Sequence, residues 1–128
     1  MDSNKVMAVI AKSMRKSGFK GKMTPHLEVS QIWIRSDVYD NIGYSVRMDG
    51  DFPDMYVYML VDGVWKPVRK SGVISNYYDV LHYEERKDYK SYYEYFSYYK
   101  YDKFESEYSL LSGCIDKVGL IIKKENRK

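Results

Sequence analysis

Residues 27–69 hold four short runs in which β-forming side chains alternate, and no helix-length segment separates any two of them. Ile32 and Ile34 flank Trp33 in 27–36. Ile42, Tyr44, Val46 and Met48 take every second position in 42–48, and Met55, Val57 and Met59 alternate with Tyr56 and Tyr58 in 55–61. Val64, Trp65 and Val68 follow. A period of two marks a strand with one buried face. Parallel neighbours need a crossover of roughly a dozen residues or more, so this stretch predicts an antiparallel meander of three or four strands. Asp62-Gly63 sets one hairpin, because a two-residue type I′ turn needs positive φ at both positions. Pro67 has no N–H to give to a ladder, which predicts that the last strand lies at an edge.

The flanks change period. Residues 4–17 read as an amphipathic helix with Asn4 as its cap. Val6, Val9, Ile10 and Met14 share one face, Lys5, Lys12, Arg15 and Lys16 lie elsewhere, Gly18 stops the helix and Gly21 keeps a basic loop mobile. Downstream, Ser75 or Asn76 caps a second helix. Tyr89, Tyr92, Tyr93, Phe96 and Tyr99 then follow i, i+3, i+4, i+7, i+10, one helical face within 87–104, with a strand as the competing reading of 92–101. Leu111, Cys114, Ile115, Val118 and Ile122 keep helical spacing after Ser106 or Ser109, and 123–128 form a basic tail. The expected fold is α+β in a single small domain, 1–128. It has an N-terminal helix, the three- to four-stranded antiparallel β-meander, then two or three C-terminal helices packed on one face.

Chemistry is sparse. Cys114 is the only cysteine, which excludes an internal disulfide and a cysteine-based zinc cage and fits a reducing cytoplasm. No apolar run is long enough for a bilayer, and the first 23 residues lack the pattern of a secretory signal. The two histidines, His26 and His82, form no HExxH motif, and no GxSxG, Walker or dinucleotide glycine pattern occurs. Asp49-Gly50-Asp51 with Asp54 has Leu60 where a calcium-hand loop needs Glu, so it reads as a polar turn. The expectation is a protein that is not an enzyme, with no cofactor and no metal.

Two local resemblances carry other implications. His26-Leu27-Glu28 resembles the His-hydrophobe-His strand of rolling-circle replication and relaxase nucleases with one His missing. Tyr92-Tyr93 or Tyr98-Tyr99 would stand for that family's nucleophile, and the resemblance implies a metal-dependent tyrosine nickase. Ile42-Gly43-Tyr44-Ser45-Val46 is similar to the inner strand of an RNA-recognition sheet, although the helix that fold needs between its first two strands is missing.

Composition points instead to surfaces. Most of the 15 tyrosines fall within 77–101, while Ala8 and Ala11 are the only alanines. A helix with tyrosines on several sides cannot bury them all. Tyr95, Tyr98 and Tyr101 fall off the main stripe and, rimmed by Lys100 and Lys103, form the expected partner-binding patch. Charge is segregated: six Lys/Arg lie in the first 23 residues, five in 117–128, and the middle carries a net −6. An acidic middle complements a phosphate-binding groove. The reading is thus a small interaction protein that inhibits a nucleic-acid-processing enzyme in the cytoplasm of a bacterial host. Anti-CRISPR and other anti-defence inhibitors of phages and mobile elements share this character. The alternative is a single-stranded nucleic-acid-binding protein, with Lys12, Arg15, Lys16, Lys20 and Lys22 on phosphates and tyrosines stacked on bases. No membrane partner is expected, and a homodimer burying the tyrosine stripe stays open.

Overall fold

The carboxylate of Asp2 accepts the backbone N–H of Asn4 at 2.9 Å and so caps the first helix, α1 (Ser3–Lys16), in place of the Asn4 cap expected from sequence. The computed structural model describes residues 2–69, 72–73 and 101–126. At its far end α1 closes with a Schellman pattern: Phe19 N donates to the Met14 carbonyl and Gly18 N to that of Arg15. Phe19 and Met14, the pair such a motif brings together, are both buried. The core face of α1 is Val6, Met7, Ile10 and Met14, whereas Val9, expected on that face, is 37% exposed. Gly21 is not a loop pivot, since it is buried beneath the Phe19 ring and against the Arg35 carbonyl.

Six antiparallel strands follow in sequence order: β1 (Met23–His26), β2 (Gln31–Arg35), β3 (Ile42–Asp49), β4 (Phe52–Val61), β5 (Val64–Arg69) and β6 (Gly72–Val73). The meander is longer than the expected three or four strands. The run read as one strand over 27–36 is split by a 3₁₀ turn, Leu27–Val29, and β1 pairs back on β2 from residues read as a loop. Asp62 and Gly63 have φ of 50° and 77°, the positive values a type I′ turn needs. β5 is not the outer strand, but the described part of β6 pairs only with Val68 and Arg69, past Pro67. Asp49-Gly50-Asp51 is the polar turn between β3 and β4.

The last helix, α2 (Phe104–Asn126), starts before the expected Ser106 and runs through the segment read as a tail. Among the described residues it is the one C-terminal helix. The helices expected after Ser75 and through most of 87–104 lie outside the described residues. Leu111, Cys114, Ile115, Val118 and Ile122 all point inward, as their spacing predicts. With α1 they cover one side of the sheet: Ile32, Ile34, Ile42, Tyr44, Val46, Met55, Val57, Met59 and Val68. Ser17 Oγ lies 3.4 Å from Cys114 Sγ and ties the two helices. The architecture is therefore α+β, and among the described residues no helix packs on the opposite face of the sheet.

Candidate functional site

Because a strand alternates, everything between the core residues of β2 to β5 faces the other way. The register aligns Trp33, Ser45 and Tyr56 in one row across β2, β3 and β4. The next row is Arg35, Gly43, Tyr58 and Pro67, and Leu60 pairs with Trp65 beyond it. Gln31, Arg47 and Asp54 form the row on the other side. This outer face is dominated by aromatic and guanidinium groups.

Its centre is built around Gly43. A Cβ there would lie 2.5 Å from Trp33 Cζ2 and 3.2 Å from Trp65 Cζ3. Only a bare backbone lets the two indoles reach over β3 and β4 from strands about 14 Å apart. They meet edge-to-face with centroids 4.9 Å apart, and Trp33 meets Tyr58 in the same way at 5.5 Å. The three rings remain half-exposed, yet Gly43 and Ser45 beneath them are buried. Ser45 Oγ is satisfied by Gln31 Nε2 at 2.7 Å.

Two arginines stack on this layer. The Arg35 guanidinium lies 4.8 Å from the Trp65 centroid and that of Arg47 lies 4.2 Å from the Tyr56 ring. Arg35 Nη2 donates to the Asp40 carbonyl at 2.7 Å, but its Nε–H is buried without an acceptor among the described residues. The Tyr56 hydroxyl donates to the Asp49 carboxylate. That bond, with partial desolvation, raises the Tyr56 pKa above the ordinary tyrosine value. Aspartates rim the face at both ends. Asp37, Asp40 and Asp62 are exposed at one end and Asp49, Asp51 and Asp54 at the other. Residues 31–68 thus hold six carboxylates against Arg35, Arg47 and Lys66.

Tyr95, Tyr98 and Lys100 lie outside the described residues. Tyr101 is half-buried: its ring packs edge-to-face on Tyr39 at 5.0 Å, and its hydroxyl accepts from Asn41 Nδ2 at 2.7 Å. Lys103 is exposed, and its backbone N–H donates to the Tyr39 hydroxyl. Burial raises the Tyr39 pKa, reinforced by its hydrogen bond to Asp102 and partly opposed by the one from Lys103 N.

Lys12, Arg15 and Lys16 stand on the exposed side of α1, and Lys20 and Lys22 are exposed on the loop that follows. Lys22, through the bond from Arg35 N to its carbonyl, stands in register with Arg35 of the outer row, and no acidic residue occurs in 3–27. Lys12, Arg15 and Lys16 belong to the helix layer, whereas Trp33, Tyr58 and Trp65 lie on the opposite face of the sheet. Phe19, the aromatic residue among these cations, is buried in the core. His26 is half-exposed, 3.9 Å from Glu28, and no metal-holding group of His, Cys, Asp or Glu occurs among the described residues. No helix among the described residues is long and apolar enough to cross a membrane.

The outer-face residues had a sequence signal in their alternation with the core positions. What one dimension could not give was that Trp33 and Trp65, with two strands between them, converge over one glycine. No family model matches the chain, no curated protein matches its sequence and no solved structure matches its fold.

Proposed function

We propose that this chain is a non-enzymatic interaction protein that binds a protein partner through the outer face of its sheet. The observation that carries the reading is the layer of Trp33, Trp65, Tyr56 and Tyr58 with Arg35 and Arg47 stacked on it. Trp, Tyr and Arg are the residues most enriched among interface hot spots, because they offer large stiff contact area with polar edges. The patch expected on the tyrosine-rich segment lies largely outside the described residues, and the proposed interface is centred on this face.

The rim of aspartates supports a partner with a basic groove, the surface by which a nucleic-acid-processing enzyme holds phosphates. In that reading the chain is an inhibitor that takes the place of nucleic acid. This is the role of anti-CRISPR-like and other anti-defence proteins of phages and mobile elements in the bacterial cytoplasm.

A second reading, direct binding of single-stranded nucleic acid, is favoured by the grouping of Lys12, Arg15, Lys16, Lys20 and Lys22. It suffers from geometry, because Lys12, Arg15 and Lys16 on α1 and the exposed rings lie on opposite sides of the sheet, and one strand cannot engage both at once.

The test is the affinity of the purified partner, captured from a nuclease-treated bacterial lysate, for wild type and for Trp65→Ala. A loss of about 30-fold or more is expected, the effect of removing a hot spot of about 2 kcal/mol. An unchanged affinity, or capture that disappears once nucleic acid is digested, rejects the reading.

A further inference from the structure

On the helix side, between α1 and the edge strand β1, lies an open groove of about 490 Å³ lined by Met7, Ala8, Ala11, Met23, Pro25 and Leu27. Lys12 and Arg15 stand on its α1 rim. We infer that this groove binds a single-chain anionic amphiphile, a medium-chain fatty carboxylate taken up as the free monomer.

The walls are thioether, methyl and ring carbons, and both alanines of the chain stand one helical turn apart on the α1 wall. Larger side chains there would close the space. The volume lies within the range of small-molecule sites, roughly 300–1,000 Å³. Leu27 is 51% exposed at one end, an apolar surface without a cover among the described residues.

The rim selects the sign of the ligand's charge. Arg15 Nη1 donates to the Phe19 carbonyl at 3.0 Å, which steadies the guanidinium, and its planar fork suits a carboxylate. Lys12, three residues earlier, adds a second cation, and none of the residues lining the groove is acidic.

The shape argues against a peptide. Register and the bond from Arg35 N to the Lys22 carbonyl turn the backbone of Met23 and Pro25 toward the edge of β1 that pairs with no described strand. Pro25 has no N–H there, so an added strand would lose a rung of its ladder. β1 has four residues and spans about 13 Å, shorter than a three-turn helix of about 16 Å. An alkyl chain needs neither a ladder nor that length.

The test is calorimetric titration of the full chain with sodium octanoate, decanoate and dodecanoate below their micellar concentrations. Decanol and decyltrimethylammonium serve as uncharged and cationic controls. Saturable one-to-one binding is expected, tightening roughly fourfold per methylene until the groove is full. Lys12→Glu should weaken it at least tenfold. Ala8→Phe should abolish it while circular dichroism stays unchanged. Decanol binding as tightly as decanoate, carboxylate binding unaffected by Ala8→Phe, or no saturable binding of any chain would each overturn the assignment. So would association with phosphatidylglycerol vesicles but not with monomers, or tighter binding of an acidic amphipathic peptide than of any carboxylate.

Discussion

The Tyr44 hydroxyl donates to Glu107 Oε1 at 2.8 Å inside the core, and this bond joins β3 to α2 across 63 positions of sequence. Tyr44 is fully buried and Glu107 nearly so. The other carboxylate oxygen of Glu107 accepts Asp37 N at 2.8 Å and so also holds the loop between β2 and β3. One carboxylate thus positions the last helix, a central strand and the loop whose Asp40 carbonyl anchors Arg35 on the outer face.

Glu107→Ala leaves a buried hydroxyl and a loop N–H without their acceptor. The expected cost is about 2–4 kcal/mol, while Tyr44→Phe, which removes the donor and its need together, should cost about 1–3 kcal/mol. Denaturant unfolding of both single variants and of the double variant checks this. The two effects should fall well short of additive, because they share one bond.

Gly43→Ala places a methyl where the indoles of Trp33 and Trp65 converge. The rings must move apart at an expected cost of about 1–3 kcal/mol. Near-ultraviolet circular dichroism should lose the signal of the coupled indoles, while the far-ultraviolet spectrum stays that of the wild type. An unaltered near-ultraviolet spectrum would show that the rings do not rest on this glycine.

Alkaline pH should weaken the fold through Tyr56. Its hydrogen bond to Asp49 raises its folded-state pKa above the unfolded value near 10, so the folded chain holds the proton more tightly than the unfolded one. That contribution is complete below about pH 10 and is lost as pH rises through the folded value. Denaturant midpoints measured on both sides of pH 10 should therefore fall less steeply with pH in Tyr56→Phe than in wild type. Equal slopes would contradict the assignment.

Much of the fold could be read from the chain, and the failures have physical causes. β3, β4 and β5 show themselves by alternation, and Asp62-Gly63 sets its own hairpin through the φ that turn demands. β1 stayed hidden because Met23–His26 is a short edge segment containing a proline and a histidine, with only its pairing to β2 holding it extended. The stripe from Leu111 to Ile122 gave the core face of α2 directly, but the start at Phe104 depends on tertiary contacts. There the Phe104 ring stacks near Tyr44 at 6.3 Å. The outer face was present in the sequence as the residues between the buried ones. Its meaning depends on two indoles meeting over Gly43 from strands that do not touch, and no local pattern reports that.

Trp33 and Trp65 are the only two tryptophans in the chain, and both lie on the proposed binding face. Fluorine NMR of the fluorotryptophan-labelled protein therefore reads that face alone. When the captured partner is added, both resonances should shift or broaden, and single-stranded DNA at physiological salt should leave both unchanged. A partner that binds with neither resonance disturbed would contradict the account.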